Sequence, residues 1–254
     1  MGAKRMDHCD EITERFIAEN RGVLYGTILG DATVTYIPSG KYSSSDGHEG
    51  RNGTCYLRIK HAADQRSLVE YKHEFMREIA GKISIAPYKG NLKGQDAYLF
   101  YTKNSIAWKK VYDEFYANAR AVAGQTGKVR RYKRVTREIL DVLNDQGFAW
   151  WIMDDGCYSH SNKGYGFFRL STQGFSYDEN ELIKQWITDR YGVKGSLQIN
   201  ARRGVNPMSA QDTFVLYIGE KDFMPIKERV EPFIIPSLRH KIGCEMAVPL
   251  TVGV

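Results

Sequence analysis

The stretch FAWWIMDDG, Phe148 to Gly156, decides the fold. An unbroken apolar run containing two tryptophans offers no polar stripe to water, so it reads as a helix buried on every side. Two aspartates and a glycine close it. Carboxylates at that tip are costly, because the helix dipole already places negative charge at the same end. The first half of the chain repeats the design: LYGTILGDA, Leu24 to Ala32, is a short apolar run closing on Asp31. Gly22, Gly26 and Gly30 recur every four residues and leave one helix stripe as bare backbone, which permits close helix approach.

Outward from both motifs the chain is written twice. After the first come ATVTYIPSGKYSS and GTCYLRIKH, a hairpin with a long polar tip. DQRSLVEYKHEFMREIAG has helical spacing at Leu68, Tyr71, Phe75 and Ile79 and stops at Gly81. KISIAPYKG and DAYLFYTK form a second hairpin, and SIAWKKVYDEFY a second helix. After the second motif the same order returns in CYSHSN, GYGFFRLST, YDENELIKQWITDRYG, KGSLQINARR, DTFVLYIG and KDFMPIKERVEPF, and GQDAYLFYTK aligns with AQDTFVLYIG. The expected fold is α+β: a pseudo-twofold duplicated αββαββα whose two antiparallel four-stranded sheets form a saddle. The repeats are expected at 1–117, with an N-terminal extension, and 137–254, joined by a polar, basic linker at 118–136.

Alternation along the strands separates an apolar face from a polar one. Cys55, Leu57, Ile59 and His61 share one face of TCYLRIKH; Tyr56, Arg58 and Lys60 share the other. Phe168 and Leu170 oppose Arg169, Ser171 and Gln173. Leu197, Ile199 and Ala201 oppose Lys194, Ser196, Gln198, Asn200 and Arg202. Any one such face serves equally well as a solvated surface, but a solvated face carries Asp and Glu as often as Lys and Arg. These carry Arg, Lys, Gln and Asn, whose donors and acceptors match base edges in the major groove. Two such sheets side by side would follow a duplex for roughly 20 bp.

Composition narrows the partners. A chain of 254 residues with 42% hydrophobic content can bury a sizeable core, and no apolar run is long enough for a transmembrane helix, so no membrane partner is expected. The N-terminus has no secretory apolar region. Cysteines at 9, 55, 157 and 244 form no CxxC pair, which reads as reduced thiols in a reducing compartment rather than a zinc knuckle. A net charge of +6 favours a polyanion. No Walker A motif, HExxH or nucleophile elbow is present.

If the two motif helices pack in parallel, Asp31 and Asp155 meet, and two like charges so close call for cations. Hard carboxylate oxygens with no Cys or His beside them suit Mg²⁺. A lone aspartate after an apolar run is ordinarily a helix cap; its repetition at equivalent points argues for a shared site. Asp154 has no counterpart, since Gly30 stands there in the first motif, and is expected to face outward or support the site.

LYGTILGDA and FAWWIMDDG, with ββαββα after each, resemble the two signature motifs of the LAGLIDADG homing endonucleases in their single-chain, two-repeat form, over about residues 20–243. The resemblance implies a monomer that cuts both strands of a long double-stranded DNA site across the minor groove and leaves 3′ overhangs. It implies Asp31 and Asp155 as ligands of Mg²⁺, with Mn²⁺ substituting. It further implies one basic catalytic residue per half: Lys241 in IPSLRHKIG, and Lys133 in RRYKRVT, where Arg131 and Arg134 compete for the register. Phosphate neutralisation is the alternative role for both lysines. Tyr25, Thr27 and Trp151 depart from the family pattern at positions expected to affect helix packing more than chemistry. Some intron-encoded members assist splicing, which makes intron RNA an alternative partner. A DNA-binding regulator that has lost cutting fits less well with both aspartates retained.

Overall fold

The computed structural model describes residues 2–37, 53–87, 96–116, 121–123, 129–131, 133–199 and 213–244. The chain divides into two compact units, Met1–Arg134 and Val135–Val254.

The first unit runs α1 (Gly2–Leu29), β1 (Thr33–Ile37), β2 (Thr54–Ala62), α2 (Arg66–Phe75), β3 (Ser84–Pro87), β4 (Asp96–Tyr101) and α3 (Trp108–Tyr116). A short hairpin, β5 (Ala121–Ala123) and β6 (Val129–Arg131), follows inside the stretch read as a linker. The four main strands form one antiparallel sheet in the order β1-β2-β4-β3. Along β2 the expected alternation holds: Cys55, Leu57, Ile59 and His61 are buried, while Arg58 is exposed. Trp108, Val111 and Phe115 of α3 and Leu68 and Val69 of α2 are buried with them.

One reading of this unit is corrected, the end of α2, and the N-terminal extension takes a definite form. The N-terminal extension is helical from Gly2 and runs into the motif helix across a kink at Asn20, whose side chain bonds back to the Phe16 carbonyl at 3.0 Å. Side-chain bonding to the carbonyl four residues back is a known cause of helix bending. α2 ends at Phe75 rather than near Gly81, and its buried stripe is Leu68, Val69 and Lys72, with Tyr71 and Phe75 only half-buried. Lys72 takes a core position because its aliphatic stem packs like a hydrophobe while its ammonium finds a polar partner.

The second unit runs α4 (Arg137–Val142), α5 (Asp145–Asp155), β7 (Gly156–His160), β8 (Gly166–Leu170), α6 (Tyr177–Tyr191), β9 (Gly195–Ile199), β10 (Phe214–Gly219) and α7 (Glu220–Val230). Its sheet, β7-β8-β10-β9, repeats the strand order of the first. α5 is buried from Gly147 to Asp154, as the unbroken apolar run requires. Its start is capped by Asn144, whose side chain accepts from the Gly147 amide at 2.7 Å. α6 opens with a capping box between Ser176 and Glu179 and closes on Gly192, whose left-handed backbone (φ 69°) suits glycine. The expected inward face of β9 fails at its end, where Ile199 is 59% exposed.

Candidate functional site

In the first unit the helix-to-strand turn sets the candidate aspartate. The Gly30 amide bonds the Gly26 carbonyl at 3.1 Å and the Ala32 amide reaches five residues back to the Thr27 carbonyl at 3.0 Å, so the last turn of α1 widens as it closes and Asp31 falls just past its end. Its carboxylate is 48% exposed. His61 Nδ1, on a side chain only 1% exposed, lies 3.4 Å from Asp31 Oδ2 and 2.8 Å from Gln65 Oε1. The expectation that no His stands beside the carboxylates is therefore corrected for Asp31. One helical turn earlier, the buried Thr27 hydroxyl accepts a hydrogen bond from Lys72 Nζ at 2.8 Å. Tyr25 fills its departure from the family pattern with an anchor: its ring packs on Phe115, centroids 5.0 Å apart, and its hydroxyl meets Glu114 and Arg21.

In the second unit Asp155 is the last residue of α5. Trp151 Nε1, four residues earlier on the same face, donates to Asp155 Oδ2 at 3.2 Å. Trp151 thus bonds the candidate aspartate directly, in addition to the packing expected of this departure. The Asp155 carbonyl accepts from the Ser171 amide at 3.0 Å. Gly156 permits the turn into β7: a Cβ there would lie 2.6 Å from the Ile152 carbonyl oxygen. Asp154 is buried, so the outward-facing alternative for it is corrected; a supporting place remains.

Each expected lysine reaches the end of the motif helix in its own unit. Lys133 Nζ donates to the Gly30 carbonyl, and Lys241 Nζ donates to the carbonyls of Met153 and of Asp154, the latter at 3.0 Å. Gly30 and Asp154 are the residues immediately before the two aspartates. An ammonium there caps orphan carbonyls and offsets the negative end of the helix dipole. Arg134 is turned elsewhere, with Nε on the Glu114 carbonyl at 2.6 Å, while the side chain of Arg131 lies outside the described residues.

Each unit offers an oxygen donor of the kind a hard divalent cation takes. Asp31 offers a solvent-facing carboxylate, and Asp155 one that is half-buried and oriented. Thiolate chemistry is disfavoured at Cys55, where burial pushes the thiol up to about 11 and keeps it protonated at neutral pH.

The open face of the first sheet carries Tyr56, Arg58 and Lys60 of β2. That of the second carries Arg169 of β8 and Ser196 and Gln198 of β9. Ser171 and Gln173 lie beyond the end of β8, and Lys194 just before β9. Asn200 and Arg202 lie outside the described residues. No helix of the described residues is long and apolar enough to cross a membrane.

Comparison with known proteins places this geometry. A family model described as the LAGLIDADG DNA endonuclease family matches residues 21–224. A probable intron-encoded DNA endonuclease 3 of Mycosarcoma maydis is 25% identical over 146 residues, 58% of this chain and 93% of the relative. The cytochrome b mRNA maturase bI2 of Saccharomyces cerevisiae is 25% identical over 222 residues, 87% of this chain but 46% of the maturase. Among solved structures, the homing endonuclease I-WcaI bound to its DNA recognition sequence superposes with a TM-score of 0.64 at 20% identity, covering 87% of this chain and 84% of that one, which shows a shared fold.

Proposed function

The chain belongs to the LAGLIDADG DNA endonuclease family, and from that footing we propose that it is a site-specific homing endonuclease cutting both strands of a long DNA duplex by divalent-metal-dependent phosphodiester hydrolysis. The observation that carries this reading is the repeated end of the motif helix. Twice an aspartate closes a buried helix, and twice a lysine ammonium sits on the carbonyl just before that aspartate. Either feature alone is an ordinary helix end; the same aspartate and ammonium at equivalent points of both repeats argue for a shared chemical task.

In this reading Asp31 and Asp155 hold Mg²⁺, with Mn²⁺ able to replace it. A divalent cation bound there stabilises charge on the attacking and leaving oxygens of the phosphodiester. Trp151 fixes the direction of the Asp155 carboxylate, and His61 flanks that of Asp31. Lys133 and Lys241 bring positive charge and donors to the place where the phosphate and its attacking water sit. The polar strand faces read bases, and one chain carrying both repeats acts as a monomer, with residues 118–136 joining the repeats.

Lys133→Met and Lys241→Met are expected to slow cutting on every target, on the order of 10²-fold each, the usual worth of one group handling a proton. The preferred sequence stays the same. Single-turnover rates checked against thermal melting separate the roles: a lowered melting temperature with an unchanged rate assigns the lysines to capping alone.

Salt supplies another check. A long contact made by many Lys and Arg residues releases counterions, so duplex affinity should fall on the order of 10³-fold between 50 and 200 mM salt if about six phosphates are engaged. A flat response in fluorescence anisotropy points to a different kind of partner.

The similarity to a maturase over 87% of the chain supports a second reading, assistance to splicing of a group I intron RNA. The two separate cleanly. Asp31→Asn and Asp155→Asn should leave splicing assistance untouched while ending DNA cleavage.

A further inference from the structure

The strand registers of the two sheets can be laid over one another, and one row coincides. In the first unit Thr33, two residues past Asp31, pairs with Arg58, and Arg58 pairs in turn with Tyr101. In the second, Cys157, two residues past Asp155, pairs with Arg169, and Arg169 pairs with Tyr217. Each row thus begins at the same step from its own motif aspartate and runs arginine, then tyrosine, across the open face. The agreement extends to the residue two before each arginine. Tyr56 meets Tyr101 with ring centroids 5.5 Å apart, and Phe167 meets Tyr217 at the same 5.5 Å.

Elsewhere on these faces the matching positions differ. Lys60 stands where the second unit has Ser171, Ser84 where it has Gln198, and Thr33 where it has Cys157. The halves have diverged in what they present, except at the arginine and its aromatic surround. Ion-pair or packing needs do not account for this. Arg58 is exposed, and the buried Nε of Arg169 has no hydrogen-bond partner among the described residues.

Resting on the endonuclease reading, we propose that Arg58 and Arg169 each read a guanine at the same step from the cut in their own half-site. The otherwise asymmetric target then carries a guanine at mirror-related positions, one on each strand. A guanidinium reaches guanine O6 and N7 with two parallel N–H donors, the commonest specific major-groove contact. The planar fork is itself pre-organised, so less freedom is lost per hydrogen bond when it engages. Lys60, Ser84, Ser171 and Gln198 set the positions at which the half-sites differ.

The test begins with the wild-type protein and Mg²⁺ on a randomised duplex library, which yields the target and the cut. Cleavage is then profiled on all single-base variants for wild type, Arg58→Ala, Arg169→Ala and Arg58→Gln. Each alanine variant should flatten a guanine preference of roughly 10- to 100-fold at one base pair, and the two base pairs should lie equally far from the centre of the cut. Arg58→Gln should turn its preference toward adenine. Duplexes with 7-deazaguanine at those positions, cut by the unaltered wild type, should show the same loss, since the N7 acceptor is gone and the fold is not in question. Flattened positions at unequal distances, uniform slowing on every target, or indifference to 7-deazaguanine each overturn the proposal while the endonuclease reading stands. A wild type that neither binds nor cuts duplex sinks that reading and this inference with it.

Discussion

Asp31→Asn and Asp155→Asn are each expected to abolish double-strand cleavage while duplex binding is kept or tightened. Asparagine preserves the shape of the side chain and removes one negative ligand. At Asp31 the carboxylate is half exposed, and the amide keeps an oxygen acceptor beside His61. At Asp155 the amide oxygen can still accept from Trp151 Nε1, so α5 keeps its end. The chemistry has no such replacement, because a neutral amide holds a divalent cation far less well than a carboxylate. The expected loss is on the order of 10⁴-fold or more, the scale seen when one member of a cooperating catalytic set is removed. Binding moves the other way, because each lost charge relieves repulsion from the phosphates. Cleavage on a supercoiled plasmid bearing the target, alongside anisotropy on the same duplex, reads both. Two variants that cut at near wild-type rate would return both aspartates to the role of helix caps.

Removing the cation has an effect of similar size. In excess EDTA, cutting is expected to fall to background, with Mg²⁺ or Mn²⁺ restoring it. Ca²⁺ is expected to support binding with little cutting, because its larger, looser coordination shell holds the reacting groups less tightly than octahedral Mg²⁺ does. The wild-type chain is used throughout, with circular dichroism in EDTA to show that the fold persists without metal. Full activity in EDTA, with the fold intact, removes the metal mechanism.

Much of the site was legible because its signals are local. The alternation in TCYLRIKH follows from the two-residue period of a strand, and the sheet confirms it from Cys55 to His61. The role of Trp151 carried a readable signal that was passed over: a tryptophan four residues before an aspartate on one helix shares its face. His61 had no such signal. Period-two reasoning assigns it to the buried face of β2, which is where it lies, but only the pairing of β1 with β2 brings that strand end back to Asp31. Lys72 was missed for a related reason. Its charge argues for the surface, and only the position of Thr27 on a neighbouring helix gives the ammonium a partner inside.

The sequence by itself determined the duplication, the order of elements within each copy and the two aspartates that close the motif helices. These rest on hydrophobic periodicity and on residues that neighbour one another along the chain. Only the tertiary structure decided which side chains stand around those aspartates: His61 on one, Trp151 on the other, and an ammonium on the carbonyl before each, from Lys133 and Lys241. Apart from Trp151, those contacts join residues far apart in the chain. Strand register and helix packing set their distances, and no local pattern of residues encodes either.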